Sequence, residues 1–254
     1  MDTVKKGMRL KALGNYMASV IGGRATMNLT CVVGGFTKVP RKDELNTVVE
    51  RLKTAREDAR ITVDLLRNLS PPADAVRGSS VYTAIYKGME YPFVNAEGVA
   101  TDKGDRVSKE EFSRRYTEKS LPYSKAKFGA LDNNVVTVGA MARYNIAREN
   151  LHPVALQLSQ ELGLGERLYD RFQNNLAQAM ELVHSIERAI DIIENINLDA
   201  VKRFSVFPRA GNGVGITEAP RGILMHQYEL DENGKIRFVN IVTPTSINLS
   251  LIHI

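Results

Sequence analysis

Glu166-Arg167-Leu168-Tyr169-Asp170-Arg171-Phe172-Gln173-Asn174-Asn175-Leu176-Ala177-Gln178-Ala179-Met180-Glu181-Leu182-Val183-His184-Ser185-Ile186-Glu187-Arg188-Ala189-Ile190-Asp191-Ile192-Ile193-Glu194-Asn195-Ile196 carries the clearest architectural signal in the chain. Leu168, Phe172, Leu176, Ala179, Val183, Ile186, Ile190 and Ile193 follow one another at steps of 4, 4, 3, 4, 3, 4 and 3 residues. A near-heptad seam of this kind predicts a single long helix suited to bundle packing. Upstream, Leu45, Val48, Val49, Leu52, Ala55, Ala59, Val63 and Leu66 mark one face of a second long helix from Arg41 to Leu69, which Pro71-Pro72 ends. Shorter helical patterns run from Val4 to Ile21 and from Asn150 to Leu162, the latter stopped by Gly163 and Gly165. The core is therefore expected to be mainly helical.

The β content is expected to be modest. Tyr91-Pro92-Phe93-Val94, a turn-rich stretch from Asn95 to Asp105, and Arg106-Val107 read as a small hairpin, followed by a short helix from Lys109 to Lys119. Near the C-terminus, Tyr228-Glu229-Leu230 and Lys235-Ile236-Arg237-Phe238-Val239 flank an Asn233-Gly234 turn, the pattern of a β-hairpin. No low-complexity linker or internal repeat interrupts the chain, so residues 1–248 are read as one mainly α, α+β domain.

Of the 254 residues, 43% are apolar and 25% charged, the profile of an ordinary globular protein. No apolar run reaches the roughly 18 residues of a spanning helix, and Met1 to Gly7 lacks the apolar core of a signal peptide. A cytoplasmic location is the expectation. The excess of 34 basic over 29 acidic residues is interleaved along the chain, which argues against a nucleic-acid-binding stripe. The single cysteine, Cys31, can form neither an internal disulfide nor a thiolate metal cage.

The most unusual stretch is Gly211-Asn212-Gly213-Val214-Gly215-Ile216-Thr217-Glu218-Ala219-Pro220-Arg221-Gly222-Ile223-Leu224-Met225-His226. Three closely spaced glycines suggest backbone passing close to a neighbour, and Pro-Arg-Gly suggests a turn that aims a guanidinium. The spacing is not a dinucleotide fingerprint, since no βαβ unit brackets it.

Thr217-Glu218-Ala219-Pro220-Arg221-Gly222, with His226 four residues on and Val242-Thr243-Pro244-Thr245-Ser246-Ile247-Asn248 after a Tyr-rich hairpin, resembles the large subunit of nickel-iron hydrogenases. The resemblance is nearest to the cytosolic type linked to NAD(P), F420 or heterodisulfide reductase. Further matches occur in order: Gly22-Gly23-Arg24 with Val33-Gly34-Gly35-Phe36, Tyr123-Ser124-x-x-Lys127-Phe128, and Val138-Gly139-Ala140-Met141-Ala142-Arg143-Tyr144-Asn145. Together they extend from Leu10 to Asn248. The resemblance implies a long-helix bundle with small hairpins and reversible oxidation of dihydrogen to protons and electrons. It also implies a nickel-iron centre carrying carbon monoxide and cyanide. The partners it implies are the iron-sulfur small subunit of hydrogenase and further electron-transfer subunits.

Two departures qualify it. Met27-Asn28 stands where the family usually has His-Pro. More seriously, the family holds its metals through two Cys-x-x-Cys pairs, one near each end of the full-length chain, and neither is present. Four soft thiolates cannot come from one cysteine, so this chain alone is expected to bind no metal. Truncation is the favoured explanation: a central-to-C-terminal fragment would lose both pairs together. Leu249-Ser250-Leu251-Ile252-His253-Ile254 fits that view, being the translation of CTG TCT CTT ATA CAC ATC, a transposase-adapter sequence. The alternative is a naturally cysteine-less relative, of the kind found at the quinone site of complex I, or a non-catalytic scaffold.

Within the resemblance, Arg221 is the catalytic candidate. Its guanidinium would stand over the open side of the metal centre, able to donate several hydrogen bonds to anionic ligands and to relay a proton. Composition alone reads it as a solvated loop arginine. Pro220 would form an apolar wall of the pocket, and Thr245 would hydrogen-bond a cyanide that could not be buried without donors. Glu218 is expected to pair with backbone or a neighbouring cation rather than titrate. His226 is read as a strand or core residue, and His152 and His184 as structural.

Overall fold

The structure is a computed structural model that describes residues 2–69, 80–125, 127–201 and 203–249. In chain order the elements are α1 (Asp2–Gly22), β1 (Cys31–Val32), β2 (Gly35–Phe36), α2 (Lys42–Arg67), β3 (Val81–Tyr86), β4 (Gly98–Thr101), β5 (Arg106–Ser108) and α3 (Lys109–Arg115). Then follow β6 (Tyr116–Ser120), β7 (Lys127–Leu131), β8 (Val136–Thr137), α4 (Ala140–Ala147), α5 (Pro153–Glu161), α6 (Asn174–Asn195), β9 (Gly211–Ala219), β10 (Gly222–Leu230), β11 (Ile236–Val242) and α7 (Pro244–Leu249). The mainly helical α+β class expected from the sequence is what the structure has. Pro71-Pro72 and the tail beyond Leu249 lie outside the described residues, and Leu249 itself ends α7.

The chain forms two compact units interleaved in sequence. One draws on residues 1–70, 152–158 and 179–207, the other on 71–151, 159–178 and 208–254. Two of the boundaries fall inside α5 and α6, which is why no linker composition marks them.

In the first unit, α2 buries the predicted face through Leu45, Val48, Leu52, Ala59 and Val63. Glu44 accepts the Arg41 backbone N–H at 2.9 Å, and Asp43 and Glu44 complement the positive end of the helix. The seam of α6 buries Ala179, Val183, Ile186 and Ile190 in the same unit. Ion pairs tie the helices on the rim: Arg56 to Glu187 at 2.8 and 2.5 Å, Lys53 to Glu194 at 2.9 Å, and Arg9 of α1 to Asp58 at 2.8 and 2.6 Å. His184 is buried on α6, and its Nδ1 accepts the His152 backbone N–H at 2.8 Å.

The predicted long helix starts late. From Glu166 to Asp170 the chain is not helical, a 3-10 turn spans Arg171–Gln173, and α6 begins at Asn174. Side chains intercept the backbone groups an α-helix would use: Asp170 accepts from Phe172 N at 2.8 Å and Gln173 accepts from Tyr169 N and Asp170 N at 3.2 Å. Asn145 pairs with Leu168, taking its N–H at 2.7 Å and donating to its carbonyl at 2.8 Å. Leu168 is buried off the seam rather than on it.

The second unit is built on sheets. A four-stranded sheet has the order β5-β4-β3-β8, a three-stranded sheet the order β11-β10-β9, and β6 pairs with β7. Val81, Ile85, Val99, Phe112, Val136, Ile216, Ile223, Met225, Val242 and Ile247 form one apolar cluster from these layers and from α3 and α7. The expected central hairpin differs in detail. Tyr91 to Val94 is loop, and β5 pairs instead with β4, whose other neighbour is the unanticipated β3. The helix expected over Lys109 to Lys119 stops at Arg115, because Tyr116 turns extended and β6 pairs residue for residue with β7. The C-terminal hairpin is as expected: Leu230 faces Ile236, and Asp231 Oδ1 accepts the Asn233 and Lys235 amides at 2.9 Å.

Candidate active-site turn

The glycine-rich stretch is a strand. β9 pairs with β10 over nine residues, from Gly211 opposite Leu230 to Ala219 opposite Gly222. Side chains alternate along a strand, so Val214, Ile216 and Glu218 share the inward face while Gly211, Gly213 and Gly215 share the outward one. A Cβ placed on any of those three glycines would meet nothing within 4 Å. The close backbone approach expected there lies instead at Gly222, with φ +128°, where a Cβ would come within 2.3 Å of Val138 Cγ2 and 2.9 Å of Gly139 N. Gly139, at φ +115°, packs back against the Arg221 carbonyl, 3.1 Å from where its own Cβ would be.

Pro220 and Arg221 are the two residues of the β9–β10 turn, and both are exposed at its tip. Thr245 is exposed in the first turn of α7. Asn248, one helical turn further along α7, donates to the Arg221 carbonyl at 3.3 Å, which draws the two candidate segments together. Asn248 also takes the Val138 N–H at 3.0 Å and donates to the Val138 carbonyl at 3.2 Å.

Beneath the turn lies a wholly buried ion pair. Arg143 on α4 and Glu218 on β9 both have side chains with 0% exposure, and Arg143 Nη1 donates to Glu218 Oε2 at 2.6 Å. The same guanidinium donates to the Ala219 carbonyl at 3.1 Å and the Pro220 carbonyl at 3.0 Å. Its Cζ sits 5.6 Å from the Phe93 ring centroid. Glu218 Oε1 accepts the Ile85 N–H at 3.1 Å, and the Phe93 carbonyl accepts from Glu218 N and Thr217 Oγ1, each at 2.9 Å. The expectation that Glu218 pairs with backbone and a cation is met. Arg143 was legible only as part of a motif; an arginine inside the apolar Ala140–Ala147 helix was the available signal of a buried charge with a partner.

His226 lies on β10, half-buried, with Nδ1 3.2 Å from the Tyr228 hydroxyl. Cys31 is exposed on β1. Among the described residues no three His, Cys, Asp or Glu side chains are grouped so as to hold a metal ion. With one cysteine, the residues present do not fit a nickel-iron donor set. No described helix is long and apolar enough to cross a membrane.

The chain is 31% identical to the alpha chain of sulfhydrogenase 2 of Pyrococcus furiosus, covering 100% of this chain and 58% of that one. It is 27% identical to a component of the vhu F420-non-reducing hydrogenase of Methanocaldococcus jannaschii, covering 98% of this chain and 63% of that one. The chain thus spans about three-fifths of the relatives it matches. Its fold superposes on an NAD+-reducing [NiFe]-hydrogenase in the H2-reduced state with a TM-score of 0.89 at 18% identity, over 99% of this chain and 60% of that one. The family profile of nickel-dependent hydrogenases matches residues 79–251, the stretch that contains the Arg143 pair, the Pro220-Arg221 turn and α7, and the chain belongs to that family.

Proposed function

We propose that this chain is the central part of a nickel-iron hydrogenase large subunit, whose reaction is the reversible oxidation of dihydrogen to protons and electrons. The observation that carries the reading is the exposed Pro220-Arg221 tip, braced from below and linked through Asn248 to the helix bearing Thr245. In the complete protein nickel and iron, the latter with carbon monoxide and cyanide, would be held by four thiolates supplied by flanking sequence. This chain's own residues contribute the surroundings. Arg221 presents up to five N–H donors in fixed geometry, Pro220 an apolar face that excludes water, and Thr245 a single hydroxyl donor. An iron-sulfur small subunit is the required partner, since one cysteine cannot ligate a cluster. The complex would be cytoplasmic and joined by further electron-transfer subunits.

The test is to sequence the genomic DNA upstream of Met1 and past Asn248. The expected result is that both frames run into Cys-x-x-Cys motifs and that the last six residues are adapter-derived. A gene that begins and ends with this sequence would overturn the proposal in favour of a non-catalytic relative. Metal analysis of the 254-residue chain is expected to find no stoichiometric nickel, because the thiolates are absent.

A further inference from the structure

We propose that Arg143, with Glu218 and Asn248, is a positioning device that fixes the backbone of the Pro220-Arg221 turn. The inference rests on the reading of that turn as part of the active site, but its test does not.

The β9–β10 connection is a two-residue hairpin loop, with Ala219 facing Gly222. Such loops favour primed turns, which need positive φ at the first or at both central residues, because only these match the twist of the flanking strands. Pro220 holds φ near −65°, and Arg221 is not among the non-glycine residues with positive φ. The turn is therefore of the unprimed kind: Pro220 presets its first φ, but the twist of such a turn does not match that of the strands it joins. Three consecutive carbonyls, those of Ala219, Pro220 and Arg221, accept instead from distant side chains, two from Arg143 and one from Asn248.

A buried ion pair is a poor means of adding net stability, since desolvation offsets most of the attraction and an apolar pair of equal volume does as well. The Arg143 guanidinium does what an apolar side chain cannot: it donates to two carbonyls of the turn while Glu218 neutralises it. Glu218 is itself oriented by Ile85 N–H and so joins the turn to β3. Arg221 thereby leaves a backbone whose direction is set on both sides, leaving its long side chain as the only free variable at the tip.

Hydrogen exchange by mass spectrometry or NMR on the full 254-residue chain tests this without metal or partner. The informative variant is Arg143→Met with Glu218→Gln, which removes both charges together and keeps an acceptor for Ile85. It is expected to unfold at a denaturant concentration close to wild type while the amides of the closing pair, Ala219 and Gly222, exchange at least tenfold faster and the β3–β4 amides stay within twofold. Arg143→Lys, which keeps the charge but lacks the fork to reach both carbonyls, is expected to give the same local effect. If either variant folds and the turn amides keep wild-type protection, the positioning role is wrong. If the double variant does not fold, Arg143→Lys alone decides. Failure of the hydrogenase reading would show in the flanking DNA and leave the exchange result untouched.

Discussion

The two units of this chain handle buried charge in opposite ways. In the helical unit each interhelical ion pair keeps its cation largely in water: Arg9, Arg56 and Lys53 have side-chain exposures of 56%, 48% and 42%. In the sheet unit Arg143 and Glu218 are withdrawn from solvent altogether. Pairs of the first kind ride on helices already specified by their apolar seams and add little, being screened and mobile. The second kind sits under an unprimed turn, whose twist does not match that of the strands it joins. Charge is internalised where shape has to be imposed and left at the rim where it has not.

The sharpest way to break this contrast is to remove one partner. Arg143→Ala strands Glu218 in the interior and is expected to cost about 3–5 kcal/mol in urea unfolding, enough to unfold a marginal domain. A loss below about 1 kcal/mol would place the pair with the rim pairs.

The helical unit has its own buried titratable group, and it makes the next largest effect. Burial lowers the His184 pKa from 6.5 to about 4, with the positive charges of His152 and Arg188 adding to it. The folded form thus resists a proton that the unfolded form accepts. Stability is full above about pH 6.5, falls as pH drops from there toward 4, and levels off below. At roughly 1.4 kcal/mol per pKa unit, the shift of 2.5 from 6.5 to about 4 amounts to about 3.5 kcal/mol. Denaturation midpoints at pH 7 and 4.5 are expected to differ less in His184→Gln than in wild type, and equal differences would contradict the assignment.

The glycines of the β9–β10 hairpin divide the same way within one unit. Gly222→Ala forces a Cβ into Val138 at a φ that side chains rarely adopt and is expected to cost about 1–3 kcal/mol. Gly215→Ala, facing open space, is expected to be neutral or to stabilise by up to about 1 kcal/mol. Thermal melts of the two variants measure the difference directly. Tyr116 supplies a smaller contrast: it is buried, burial raises its pKa, and its hydroxyl has no hydrogen-bond partner among the described residues. Tyr116→Phe is expected to stabilise by about 1 kcal/mol, the opposite sign to Arg143→Ala. Smallest of all, Lys53→Gln at the exposed rim is expected to change the unfolding free energy by less than about 1 kcal/mol.

These contrasts explain what could be read from sequence. The α2 face and the α6 seam were legible because burial there repeats with helical period, and the Asp231 to Lys235 turn because its chemistry is local. The start of α6 was not, since Asp170, Gln173 and the remote Asn145 take over backbone groups that the apolar spacing assigns to a helix. β3 was missed because its neighbours β4 and β8 lie 12 or more residues on, and β6 because the Lys109 to Lys119 segment read as helix although Pro122 marks the turn to β7. At the candidate site the tip residues Pro220 and Arg221 stood out through the motif around them, since composition alone reads Arg221 as a solvated loop residue. Their support did not, because Arg143 and Asn248 are 77 and 27 residues away from the carbonyls they hold.

Asn145 and Asn248 share one habit. Each amide takes the N–H and meets the C=O of a single distant residue, Leu168 and Val138 respectively, so that a side chain imitates one rung of a β-ladder. An amide side chain carries a donor and an acceptor on one plane at every pH. Deamidation of either residue to aspartate would replace an NH2 by an oxygen and set a carboxylate against a carbonyl it had been bonding. Asn248 donates to the Arg221 carbonyl as well as to that of Val138, so the chemical ageing of one surface-proximal amide would be felt at the tip of the turn, and the lifetime of that amide bounds the lifetime of the turn's geometry.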